Sequence, residues 1–182
     1  MAPHPYRRQK TNHRRRDSVI KIISGGQTGA DRAALDAARE LKLPHGGWLP
    51  RGRKTENGPL PRSYALEELD SSEYRPRTEK NVLASDGTLI ISFGPLRGGS
   101  ALTESLARRH DRPCLHINLE ETTDNQAVAS IMAWLRRYRI ATLNVAGPRA
   151  SGDPRIYQAV LHLLKKISWQ ELDQGNEGPE GR

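Results

Sequence analysis

Along the chain, short apolar runs alternate with stretches in which apolar residues recur every three or four positions. Val19-Ile20-Lys21-Ile22-Ile23 is β-branched and ends in Ser24-Gly25-Gly26, which predicts a buried strand entering a turn. Thr28 followed by Asp31 has capping-box spacing, and Ala30, Ala33, Ala34, Ala37 and Leu41 then share one helix face. The same order returns at Asp86-Gly87, a turn signal before the strand Thr88 to Phe93, and at Gly94 to Ser100, after which Ala101 to His110 reads as helix. Pro113 to Asn118 is a third strand. Thr123 with Gln126 forms a capping box ahead of Val128, Ile131, Leu135 and Tyr138. Ala141 to Val145 is a fourth strand, and Asp153-Pro154 opens a last helix carrying Ile156, Val160, Leu163, Leu164 and Ile167. Between Gly46 and Arg75 no period persists; Arg77 to Leu83 is expected as a short helix, and no repeat of 20 to 50 residues is present.

Strands alternating with helices predict an α/β protein, a three-layer Rossmann-like doubly wound fold with a mainly parallel sheet of about five strands. If the first and third strands are neighbours and their connections leave in opposite directions, both glycine turns open into the switch-point crevice where such folds bind ligands.

With 182 residues the chain suits one domain. Residues 1–17 hold six Lys/Arg against one acid and residues 168–182 hold one Arg against four acids, so both are expected as disordered, solvated tails around a Rossmann-like ligand-binding domain at 18–167. The net charge is +8, and residues 18–167 alone remain basic, which favours an anionic partner. Nucleic acid is disfavoured as that partner, because the run from Arg7 to Arg16 has no stacking aromatics or reading helix beside it. A single cysteine, Cys114, excludes an internal disulfide and a thiolate zinc cluster and is expected to fill core. No apolar run suits a membrane span and no signal peptide precedes the first strand; the expected compartment is cytoplasmic.

The first turn, Gly25-Gly26-Gln27-Thr28-Gly29, removes side-chain bulk where a backbone must approach a ligand and places amides at a helix start, where an anion gains hydrogen bonds and the helix dipole. Tight packing of helix on sheet is the alternative use of such glycines. The turn is no P-loop, since no Gly-Lys-Ser/Thr follows. Gly98-Gly99-Ser100-Ala101-Leu102-Thr103 repeats the arrangement and adds two hydroxyls, and Arg149 at the end of the fourth strand is positioned to clamp an oxyanion or to stand exposed in a turn. Arg51, Arg53 and Lys54 either close over the ligand or decorate a solvated loop, and Trp48 either packs or stacks. The six histidines have no partners at metal spacing, so no protein-ligated metal is expected. There is no Gly-x-Ser-x-Gly elbow or Cys/His pair, and no catalytic residue is assigned.

Ser24 to Arg32, Tyr74 through Arg77-Thr78 with Asn81-Val82, Ser85 to Thr88, Gly98 to Thr103 and Asn144 to Arg149 resemble, in order, the blocks of the molybdenum cofactor carrier protein family, from about Ile22 to Ile167. That resemblance implies a Rossmann-like fold, a homo-oligomer (dimer or tetramer) and binding of molybdenum cofactor (molybdopterin), with molybdoenzymes as recipients. It also implies ligand contacts from Arg77 and Asn81 beside the two glycine turns. The cofactor is a pterin with one phosphate and a dithiolene that itself holds the metal, so it asks the protein for N–H donors and basic side chains, not metal ligands. A fainter similarity reaches nucleotide and nucleotide-sugar binders and the lonely-guy phosphoribohydrolases, which implies a nucleotide as the alternative ligand. Those enzymes have Pro-Gly-Gly-x-Gly-Thr-x-x-Glu at the second turn. Here Leu96-Arg97 precede the glycines, Ser105 stands where the glutamate falls, and Glu104 lies one position early, turned by roughly 100° on a helix.

Overall fold

The computed structural model describes residues 20–174. The expected basic tail at 1–17, and the acidic stretch from 175 onward, lie outside those residues. Five parallel strands make the main sheet: β1 (Lys21–Ile23), β2 (His45–Gly46), β7 (Gly87–Ser92), β8 (Cys114–Asn118) and β9 (Thr142–Ala146), in the order β2-β1-β9-β7-β8. β1 therefore lies between β2 and the last strand, β9, and not beside the third long strand, β8. Both glycine turns still leave the same edge of the sheet, one strand apart, because β7 flanks β9 on its other side.

Six α-helices occur among the described residues: α1 (Ala30–Glu40), α2 (Tyr74–Leu83), α3 (Gly98–Arg109), α4 (Asp124–Tyr138), α5 (Ile156–Lys166) and α6 (Trp169–Gln174). α1, α5 and α4 pack side by side over one face, with α2 and α3 over the other, which is the three-layer Rossmann-like arrangement. α5 turns Ile156, Val160, Leu163 and Leu164 inward against the small stripe Ala30, Ala33, Ala34 and Ala37 of α1, and small residues there let the two helices approach closely. The Thr123–Gln126 capping box is present at α4: Thr123 Oγ1 accepts from the Gln126 amide at 3.4 Å, and the Thr123 amide donates to Gln126 Oε1 at 3.0 Å. Residues 169–174, which charge alone places in a tail, form α6. Buried Trp169 joins the main core there, and its indole N–H donates to the Leu164 carbonyl at 2.9 Å.

The segment after β2 is folded despite lacking a period. Its two-residue strands β3 (Trp48–Leu49), β4 (Lys54–Thr55), β5 (Gly58–Pro59) and β6 (Glu67–Glu68) pair as β3 with β6 and β4 with β5. Leu49, Leu60, Tyr64 and Leu66 make a satellite core on Leu35 of α1. Arg53 is its staple: this buried side chain donates to the carbonyls of Leu60, Pro61, Tyr64 and Leu66 at 2.8–3.1 Å. The expectation that Arg53 closes over a ligand is thus overturned, because its guanidinium is spent on the carbonyls of its own loop. Trp48 packs at β3 with the Lys80 ammonium 5.2 Å from its ring and stands outside the cleft described below. Cys114 is only partly buried on the edge strand β8, where burial pushes its thiol up to about 11.

Candidate functional site

At the carboxyl ends of β1, β9 and β7 lies a cleft of about 620 Å³. It is walled by the first glycine turn, α2, the β7–α3 connection and the β9–α5 loop. Gly25, Gln27, Arg77, Asn81, Gly98, Gly99, Ser100, Thr103 and Arg149 all line it, while Gly26, Thr28 and Gly29 face elsewhere.

The first turn serves packing more than access. A Cβ on Gly26, which has φ +70°, would lie 2.6 Å from a methyl of Leu49, and one on Gly29, with φ +73°, would lie 2.4 Å from the Pro148 carbonyl oxygen. Several amides at this turn are taken: Gln27 N–H donates to Asp31 Oδ2 at 3.3 Å, Thr28 N–H to Gln27 Oε1 at 3.0 Å and the following Ala30 N–H to the Pro148 carbonyl at 3.1 Å. Thr28 does not cap α1. Its hydroxyl donates to Glu56 and accepts from the Ala150 amide at 3.1 Å, so the capping-box expectation fails because two loops claim the side chain first.

Glu56 sits at the centre of that junction. Besides Thr28 it accepts from the Ser151 amide at 3.1 Å and from the Ser151 hydroxyl, and its own N–H donates to Gln27 Oε1 at 2.9 Å. Burial pushes the Glu56 carboxyl up, but these hydrogen bonds and the Arg149 charge together bring it below its ordinary range. The hairpin of β4 and β5, the first turn and the β9–α5 loop are tied by this one carboxylate.

The second turn is bare. Among the described residues the amides of Gly98 and Gly99 find no acceptor, and a Cβ on either glycine would meet nothing within 4 Å. An anion at that helix start gains hydrogen bonds plus a dipole contribution of roughly 0.3–1 kcal/mol when exposed and up to about 2 when partly buried. Thr103 spends its hydroxyl on the Gly99 carbonyl at 2.8 Å, which overturns its expected donation to a ligand, whereas the Ser100 hydroxyl has no such bond among the described residues.

Between the turns stands an ion pair. Arg77 Nη1 donates to Asp31 Oδ2 at 3.0 Å, and the guanidinium occupies the space that a Cβ on Gly25 would need, 1.5 Å from Nη1. Burial pushes the Asp31 carboxyl up; the Arg77 charge and the Gln27 amide pull it back only in part. Asn81 lines the cleft yet works structurally: its amide nitrogen donates to the Trp48 and Arg77 carbonyls at 3.0 and 3.1 Å, and its oxygen accepts from the Trp48 amide. On the β7 side, Asp153 accepts three hydrogen bonds from Arg155, and the Arg155 guanidinium lies 4.0 Å from the Phe93 ring. Glu104, the carboxylate nearest a ribohydrolase's, is outside the cleft and faces Arg108 at 3.9 Å.

Sequence reasoning missed Asp31 and Tyr74 as cleft residues, and Asp153 and Asn144 as well. Tyr74 and Arg77 stand one helical turn apart, a signal hidden by the charged residues around them. Among the described residues no three His, Cys, Asp or Glu side chains gather as a metal site, and no helix is long and apolar enough to cross a membrane.

A parallel sheet covered on both faces, with its cleft at the strand carboxyl ends and a bare helix start inside it, defines the Rossmann-like α/β class. Within that class the chain belongs to the circularly permutated YpsA SLOG family, whose model matches residues 22–168. A solved structure from Syntrophus aciditrophicus SB, named "putative molybdenum carrier protein", is similar to it with 54% identity and a TM-score of 0.82, over 83% of this chain and 96% of that one. No curated protein matches the chain.

Proposed function

We propose that this chain binds and carries molybdenum cofactor, with the phosphate of the cofactor held at the start of α3. The observation that carries the reading is the pair of amides at Gly98 and Gly99, unpartnered among the described residues and opening into a cleft whose other wall carries Arg77 and Arg149. The Ser100 hydroxyl adds a donor beside them. The name of the Syntrophus aciditrophicus relative supports molybdenum cofactor over other phosphate-bearing ligands. Assembly as a homo-oligomer, action in the cytoplasm and delivery to molybdoenzymes belong to the same proposal. A nucleotide is the second reading, since any phosphate suits the bare helix start; a ribohydrolase variant of it lacks its acid, because Glu104 points away from the cleft.

The test is uptake. Purified protein mixed with cofactor released from a molybdoenzyme, then passed through a desalting column, is expected to carry about one oxidisable, fluorescent pterin per chain, and Gly99→Leu to carry at least tenfold less. Elution without pterin, or release of free base from a nucleoside monophosphate, overturns the proposal.

A further inference from the structure

The β1 side of the cleft is built from different chemistry than the α3 start. Three cations from three segments gather on one aromatic ring: Lys54 Nζ lies 5.3 Å from the centre of Tyr74, the Arg77 guanidinium carbon 5.6 Å and that of Arg149 5.9 Å. Tyr74, Arg77 and Arg149 all line the cleft. Like charges brought this close raise one another's free energy, so the cluster calls for negative charge. The protein supplies only part of it. Asp31 meets Arg77 at 3.0 Å, but Glu56 stands 3.9 Å from Arg149 and is engaged by Thr28 and Ser151, and Lys54 has no carboxylate within 4 Å among the described residues. Among the described residues Arg77 Nε is buried without an acceptor, and Nη2 makes no hydrogen bond. A guanidinium offers five donors in a fixed fork suited to a planar or tetrahedral oxyanion, and among the described residues one of them is used.

We infer that Arg77 and Arg149, grouped at Tyr74 with Lys54 behind them, form a second oxyanion subsite, separate from the Gly98–Gly99 amides. It takes a tetrahedral oxyanion, either as a second anionic group of the ligand proposed above or as a free ion bound beside it. The inference rests on that reading for the ligand but not for the subsite itself.

Crystals of the full chain soaked in sodium tungstate test it by anomalous scattering. Two tungsten positions are expected, one at the α3 start and one between Arg77 and Arg149; Arg149→Ala is expected to lower the second occupancy at least fivefold and to leave the first unchanged. Tungsten at α3 alone overturns the inference and leaves the proposed function standing. Tungsten at neither position overturns both. A second position that Arg149→Ala does not weaken marks an adventitious ion only and also overturns the inference. Adding released molybdenum cofactor then separates the sources: loss of tungsten from both positions assigns the subsite to the same ligand, and loss from α3 alone assigns it to a free ion. If both tungstates stay while pterin is absent, the carrier reading falls and the subsite stands.

Discussion

Two glycine turns with similar composition, at Gly25–Gly29 and at Gly98–Ser100, leave the same sheet edge and do opposite things. The first is filled by its own protein: Leu49 presses on Gly26, the Pro148 carbonyl on Gly29 and the Arg77 side chain on Gly25, while its amides bond to Asp31, Gln27 and Pro148. At the second, a Cβ on Gly98 or Gly99 would meet nothing within 4 Å. The difference lies in what surrounds each turn, since the folded loop at 46–73 and the β9–α5 loop land on the first, while among the described residues the Cβ positions of Gly98 and Gly99 face open space. A glycine turn at a helix start thus acts as a joint or as an opening according to whether another backbone arrives.

The comparison can be broken in several ways. The largest expected effect is that of Arg77→Met, about 3–5 kcal/mol by urea denaturation, because Asp31 is left buried without its counter-charge. Its pH dependence has a definite sign. The folded carboxyl of Asp31 is raised, so folded protein holds that proton more tightly than unfolded chain, and stability falls as pH rises from the ordinary 3.8 through the folded value. Without Arg77 the decline extends to higher pH, and Asp31→Asn removes it; a decline that Asp31→Asn leaves intact belongs to another group.

Gly29→Ala comes next, at about 2–4 kcal/mol, since a Cβ at positive φ meets backbone that cannot retreat. Glu56→Gln is expected to cost about 1.5–3 kcal/mol, the scale of hydrogen bonds to a charged acceptor. Glu56 has a lowered folded carboxyl, so its contribution is present above the ordinary 4.5 and disappears as pH falls through the folded value; the glutamine variant should show a flatter acid limb. At the second turn, Gly99→Ala is expected to change stability by no more than about 1 kcal/mol, in the stabilising direction for a helical position, while weakening phosphate binding. A Gly99→Ala protein as damaged as Gly29→Ala would erase the distinction. Smallest of all, Glu104→Gln is expected to alter ligand affinity less than twofold, roughly 0.4 kcal/mol, in an equilibrium titration.

The strands β1, β7, β8 and β9 and the stripes of α4 and α5 were legible because burial imposes period 2 or 3.6 on the residues themselves. β2 was not: His45–Gly46 has no pattern, and its pairing with β1 comes from the position in which α1 delivers the chain. The cleft was legible as two turns on one sheet edge, but not the division of labour between them. Glycine reads alike whether a ligand or a carbonyl approaches, and Pro148, which decides the matter at Gly29, is more than a hundred residues away. Arg53 was illegible for a related reason, since a cation's solvation depends on carbonyls at Leu60 to Leu66 that no spacing announces.

The pairing of β1 with β9 joins the earliest described strand to the latest inside the sheet, and α1 lies against α5 in the same way. The hydrogen-bonded ladder is therefore indifferent to the point at which synthesis begins. Bridging the outer segments and reopening the chain at an exposed connection, such as that between β8 and α4, would preserve every strand neighbour while reversing which half emerges first from the ribosome.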